Sequence, residues 1–243
     1  MSEWKQRRFW TSAEVVETDD GFTVELDGRQ IKTPNRSQLL LPGRGLAEAI
    51  AAEWLEQDDV VKPHTMPMTR SANSAIDKVA PQRADVVDML AAYGDSDLLC
   101  YRADRPDELI RRQQKAWDPP LDWAATRYGA RLMPRTGVIH ESQDATALAA
   151  LRDAVDTMGV FQLTGFHDLV SLSGSLVLGL AAAEGWQEIE AIWGLSRLDE
   201  NWQIEKWGAD EEAIEAAEAS RVNFLHAKAF FDLSGPRTGT HTP

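Results

Sequence analysis

The sequence predicts an α+β protein, a small β-rich N-terminal domain followed by a larger, mostly α-helical C-terminal domain. Two observations predict it. Apolar and polar side chains alternate with period two through the first forty or so residues, and from Leu46 onward apolar residues recur at three- and four-residue spacing. The Pro42-Gly43 pair separates the two patterns. The domains therefore fall at residues 1–43 and 44–233, with a disordered tail expected at 234–243, where Gly, Pro, Arg and Thr dominate.

The strands are expected at Val15–Thr18, Phe22–Leu26 and Ile31–Thr33. Asp27-Gly28 joins the last two, and such a pair suits a type I′ turn, which needs positive φ at both central positions. Asp19-Asp20-Gly21 marks a second turn. Leu46, Ala49, Ile50, Glu53 and Trp54 then form one helical stripe, with Glu48 and Glu56 outside it. Further helices are expected near 72–79 and 81–93, with a short irregular piece at 97–101. A long helix follows over 106–128, in which Pro119-Pro120 demands a break or kink because proline lacks the helical N–H. Ala130 to Met133 reads as one more short strand. Helices near 144–157, 161–183, 186–206 and 211–231 complete the chain.

Composition limits the function. The 243 residues carry a net charge of −14, and such a surface repels phosphate backbones and anionic lipid. No nucleic-acid or membrane partner is expected, and a basic or neutral protein suits the charge better. The most apolar stretch, Leu169 to Ala183, is too short to span a bilayer, which takes roughly 20 apolar residues. Cys100 is the only cysteine, so no intrachain disulfide can form and a reducing, cytoplasmic location fits. Met1–Lys5 lead into no apolar run and no Arg-rich, acid-poor stretch, so neither a secretory nor a mitochondrial leader is visible.

Catalytic signatures are wanting. The five histidines (64, 140, 167, 226, 241) show no HxxxH spacing and none flanks a cysteine, so no metal site is expected. His167-Asp168 reads as a structural pair. Ser171, Ser173 and Ser175 lack a nucleophile elbow, Gly174 and Gly179 form no phosphate loop, and small residues on an apolar helix allow close packing. No cofactor is expected, and the chain reads as a non-enzyme.

Carboxylates are concentrated instead. Between Glu184 and Glu218 stand eleven acids against two bases, a local net of −9. They fall on the polar faces of helices whose apolar stripes are Ile189-Ile192-Leu195-Leu198-Trp202 and Ile214-Ala217-Val222-Leu225. Asp210-Glu211-Glu212 follows Trp207-Gly208, where a glycine can end one helix and acids can favour the start of the next. Capping and partner contact are compatible there. Trp10, beside Phe9 after a basic run, is a candidate anchor if exposed, since aromatic residues dominate interface hot spots.

In order along the chain stand Arg8-Phe9-Trp10, Leu26-Asp-Gly-Arg29 with Lys32-Thr-Pro34, Ala52-Glu-Trp54, and Met66-Pro-Met-Thr-Arg70 leading to Asn73. Asp97-Leu-Leu-Cys-Tyr-Arg102, Gln113 with Trp117-Asp-Pro119, Asp122-Trp123 and Tyr128-Gly129 come next. Ser196-Arg-Leu-Asp199 with Trp202-Gln203, and Lys206-Trp-Gly208 with Asp210 and Glu212, close the series. Each alone is weak, but in this order the chain resembles the bacterial and mitochondrial ATP synthase assembly chaperones that bind the free α subunit of the catalytic sector. The resemblance implies a cytoplasmic bacterial member that holds the unassembled α subunit, prevents its aggregation and catalyses nothing. A monomer is expected. It implies an essential acidic position at Glu212, with Asp210 its neighbour; mitochondrial members carry extra residues here, so Glu211 is the other possible match. Partner contacts are thus expected at Glu212, Asp210, Trp207 and Trp10. The competing readings are an adaptor for a different complex and a hydrolase with a cleft.

Overall fold

A computed structural model describes residues 7–137 and 140–235. It divides into two compact units. The first comprises residues up to Arg83 with Gly159–Thr164 and the chain from Ala229; the second comprises Ala84–Met158 and Gly165–Lys228.

The first unit is built on a three-stranded antiparallel sheet, β1 (Ala13–Thr18), β2 (Gly21–Leu26) and β3 (Arg29–Gln30), in that order. Asp27 and Gly28 take φ of 47° and 76°, the left-handed pair that a tight β2–β3 turn needs. The third strand lies at Arg29–Gln30, not at the expected Ile31–Thr33: beyond it Ile31 keeps one bond to Val24 and Lys32 only an isolated bridge to Gln38 before the chain turns at Pro34. Helix α1 (Arg44–Leu55) lays Leu46, Ala47, Ile50 and Ala51 against Val24 and Leu26, so sheet and helix share one apolar core with Trp10, Leu39, Leu41, Ala72 and Phe230. With a third strand of only two residues the sheet is little more than a hairpin, which is marginal until a helix covers its apolar face. The first unit accordingly runs past the change of pattern at residue 43 to include α1 and α2 (Pro67–Ser74).

The second unit holds α3 (Arg83–Ala91), a two-residue strand β4 (Tyr101–Arg102), α4 (Asp107–Tyr128), β5 (Arg135–Thr136), α5 (Ala145–Asp156), and most of α6 (Val160–Ser173). α7 (Leu176–Glu184), α8 (Ile189–Ser196), α9 (Leu198–Trp207) and most of α10 (Glu211–Ser234) complete it. β4 and β5 pair in parallel, so the late strand lies at 135–136, not at 130–133. Three helical expectations need correction. α4 runs unbroken through Pro119 and Pro120, held by buried Trp117, Leu121 and Ala124 on either side of the missing donors. The helix expected over 161–183 is two, parted at Gly174 (φ 68°), after which Ser175 caps α7 through the N–H of Leu178, 3.0 Å away. The helix expected over 186–206 is also two, parted at Arg197.

Small residues in α7 serve packing. A β-carbon on Gly179 would stand 2.5 Å from Val170 and 3.3 Å from Phe166. Among the described residues no helix is long and apolar enough to cross a membrane. Of the expected tail, residues 236–243 lie outside the described residues.

Candidate functional site

The acidic segment singled out by charge forms a helical tip at the α9–α10 turn, in the second unit. α9 is seated by Trp202, which is buried and covered by two cations, the Arg112 guanidinium 5.0 Å and the Lys206 ammonium 4.3 Å from its ring. Arg112 also donates to both carboxylate oxygens of Glu205 at 2.8 Å, and Lys206 reaches Glu108 at 3.3 Å. Those hydrogen bonds hold the Glu205 carboxyl below its ordinary range. On α10, Arg221 joins Glu218 on its own helix and Glu190 on α8.

Beyond these anchors the chain stands in solvent. Every residue from Gln203 to Ala216 is exposed. Gly208 ends α9 with φ 87°, a conformation that side-chain-bearing residues rarely adopt, and its N–H reaches the Ile204 carbonyl at 2.9 Å. Trp207 is 78% exposed, with Ile204 one turn before it on α9 and Ile214 just inside α10, both well exposed. The stripe beginning at Ile214 is therefore not core over its first turns; Val222 is also exposed, and burial begins at Phe224. Asp210, Glu211, Glu212 and Glu215 make no side-chain hydrogen bond or ion pair among the described residues, unlike Glu205 and Glu218 below them. Glu211 and Glu212 sit in the first turn of α10, where the helix dipole favours them, but neither they nor Asp210 makes a capping bond.

The structure thus brings Trp207, Asp210 and Glu212 together on one turn. Trp10 is not on this turn and is not the exposed anchor expected: it is 2% exposed, packed edge-on to Trp54 at 5.1 Å, with its ring N–H donating to the Trp54 carbonyl at 3.1 Å. A buried side chain cannot anchor a partner. Its neighbour Phe9 carries the exposed ring, at 56%.

Several polar residues of the motifs serve as scaffolding. Glu53 reaches from α1 to the start of α2, accepting from the N–H groups of Met68 (2.6 Å) and Thr69 (2.8 Å) and the Thr69 hydroxyl (2.7 Å). It caps a helix that has no cap of its own, and burial raises its pKa. Asp97, fully buried, accepts from Leu99 and Val177 N–H groups at 3.0 Å each, and burial pushes its pKa up to about 6. Arg102 bonds the Leu99 carbonyl (2.7 Å) and Asp118 (2.9 Å). Gln113 ties Ala103 to Asp199, and Trp117 donates to the Leu195 carbonyl at 2.9 Å. The buried Cys100 thiol is pushed up to about 12 by desolvation and the Asp97 charge, so it is a poor nucleophile. His167 hydrogen-bonds Asp168 at 2.8 Å, and that bond raises its pKa. Among the described residues no group of three His, Cys, Asp or Glu side chains is arranged for a metal ion.

The described residues thus form an α+β fold with an exposed, acidic and aromatic tip, while Glu53, Asp97 and Gln113 bond within the scaffold. The comparisons place that fold among chaperones. Residues 7–125 match the family described as ATP12 chaperone protein. A solved structure of Atp12 from Paracoccus denitrificans superposes with a TM-score of 0.93 at 47% identity, covering 96% of this chain and 100% of that one. An aspartate-to-lysine mutant of P. denitrificans Atp12p gives 0.93 at 46% identity, again over 96% and 100%. The protein atp12, mitochondrial, of Schizosaccharomyces pombe is 25% identical over 236 residues, 92% of this chain and 81% of that protein. The chain belongs to the ATP12 chaperone family, the ATP synthase assembly chaperones that its motifs resemble.

Proposed function

We propose that this protein binds the unassembled α subunit of the ATP synthase catalytic sector, keeps it from aggregating and yields it to its assembly partner, making and breaking no covalent bond. It does so as a cytoplasmic monomer. The reading is carried by the tip, where exposed Trp207 stands beside four carboxylates that find no cation among the described residues. An orphan subunit exposes the apolar and charged surface meant for its neighbours, and such patches aggregate. Trp207, Ile204 and Ile214 supply apolar contact to that surface. Asp210 and Glu212 supply charge for arginines on it. Trp207 lies on α9 and Glu212 on α10, so both start from helical backbone, which reduces the ordering needed on binding.

Co-expression with the isolated α subunit tests the reading. The α subunit is expected soluble with this chain and largely insoluble without it, and Glu212→Gln is expected to reduce recovery of the complex while leaving the chaperone folded. An α subunit equally soluble with and without the chain, or a Glu212→Gln variant that binds and assembles normally, refutes it. The dipole contribution at an exposed first-turn site is about 0.3–1 kcal/mol, whereas truncating one partner of a buried charge pair costs roughly 2–5 kcal/mol of binding. A variant that loses thermal stability first is reporting the helix start, not the client.

A further inference from the structure

Among the described residues, β1 is the longer of the two edge strands of the first unit's sheet, and its outer side is unpartnered. β2 is closed on its far side, for Phe22 exchanges backbone bonds with Leu41 (3.0 and 2.7 Å) and the Ile31 N–H reaches the Val24 carbonyl at 3.1 Å. On the near side β1 and β2 pair in register Ala13↔Leu26 to Thr18↔Gly21. The Asp27 N–H bonds the Ser12 carbonyl at 3.3 Å, so the even-numbered residues of β1 face β2 in the alternation of an antiparallel ladder. The N–H and carbonyl groups of Ala13, Val15 and Glu17 therefore point outward, and among the described residues nothing bonds them.

Three features specify what would pair there. The hairpin from Ala13 to Leu26 carries five acids, Glu14, Glu17, Asp19, Asp20 and Glu25, and no lysine or arginine. Glu14 and Glu25 stand directly opposite one another across the ladder, a like-charge arrangement that destabilises a sheet unless a cation lies between or beside them. Glu14 is exposed and pairs with no cation among the described residues, whereas Glu17 already binds Arg44 of α1 at 3.2 Å; a second copy docking edge to edge would set the Glu14 side of the acidic hairpin against its own kind. An extended segment bearing Lys or Arg on the face of Glu14 satisfies the free backbone groups and relieves the opposed pair at once.

We propose that the outer edge of β1 takes up an extended basic segment of the client by strand addition, a contact separate from the helical tip; the client's identity rests on the function proposed above. Backbone pairing supplies affinity with little demand on side chains, and the acids select a basic strand. Hydrogen exchange on the full chain reads the edge directly. On addition of isolated α subunit the Ala13, Val15 and Glu17 amides, fast in the free chain, are expected to slow by at least about tenfold, while Glu14, Val16 and Thr18, already bonded to β2, change little. Glu14→Gln is expected to raise the melting temperature slightly and weaken binding several-fold, opposite signs that a merely structural role would not give. An α subunit that binds and leaves the three odd-numbered amides fast overturns the edge and spares the tip. If the α subunit does not bind at all, the client reading fails, and an alternating lysine–valine hexapeptide decides the edge: slowing of the same three amides supports it, and no slowing overturns it. Dimer formation through β1 also overturns it.

Discussion

Trp207→Ala separates binding from folding most cleanly, because the side chain contributes so unequally to the two. A tryptophan offers about 250 Å² of surface when fully buried. With 78% of Trp207 exposed, roughly 55 Å² is buried in the free chain, worth at most about 1.4 kcal/mol at ~25 cal/mol per Å². Alanine recovers about half a kcal/mol of that through its better helix propensity at the end of α9. Unfolding stability should thus fall by about 1 kcal/mol or less. The remaining 195 Å² or so could yield about 5 kcal/mol if a client covered it completely, and side-chain ordering and desolvation reduce this to the ~2–4 kcal/mol usual for a tryptophan hot spot. Affinity for isolated α subunit should then drop about 30- to 1,000-fold, at ~1.4 kcal/mol per decade. Isothermal titration of the α subunit gives the affinity, and urea unfolding of the variant gives the stability. An affinity within about threefold of the parent chain would show that the exposed ring is not the anchor, and would leave the carboxylates to carry the contact alone.

Glu53→Gln replaces one acceptor oxygen with a donor facing donors at the start of α2, and urea midpoints should report a loss of about 2–3 kcal/mol with no effect on the second unit's near-ultraviolet spectrum. Asp97 sets a pH dependence. Its folded pKa of about 6 lies above the unfolded value of 3.8, so the folded chain binds the proton more tightly. Its contribution is greatest below the unfolded value and declines as pH rises from about 4 to about 6, by about 3 kcal/mol in all. Asp97→Asn should flatten that part of the stability–pH curve, and a variant with the parent's slope would assign the proton elsewhere. Gly179→Ala should cost about 1–3 kcal/mol by overpacking α7 on α6, read as a lowered melting temperature.

The sequence is most legible where one local interaction decides the outcome. Asp27-Gly28 announces its turn because few other residues tolerate two positive φ angles in succession, and Gly208 stops α9 for the same reason. It is least legible where tertiary packing overrides a local cost. Pro119 and Pro120 remove two helical donors, yet α4 continues because Trp117, Leu121 and Ala124 bury the same face on both sides of them. Gly174 and Arg197 part helices that an apolar pattern joins, since periodicity records which face is buried and not where the axis turns. The tip shows both cases. Its charge excess and its glycine are visible in the sequence, but the stripe from Ile214 has the spacing of a core face, and nothing local says that its first turns find no neighbour. Trp10 fails in the opposite sense. Phe9 and Trp10 are adjacent aromatics in an irregular stretch, and only the indole's fit against Trp54, 44 residues away, decides which one is covered. Glu53, Asp97 and Gln113 stand in motifs whose purpose the sequence leaves unstated, and each proves to be an acceptor for backbone outside its own element.

Because the tip is one continuous run from Gln203 to Ala216 with no buried side chain, its composition is decoupled from the cohesion of the domain beneath it. Outside Glu205 and Lys206, whose bonds to Arg112 and Glu108 seat α9, and Gly208, held by its backbone conformation, selection can rewrite its aromatic and acidic residues for a new client at little risk to folding. The same independence makes it transplantable: exchanged between relatives as a cassette, this stretch should carry client preference with it.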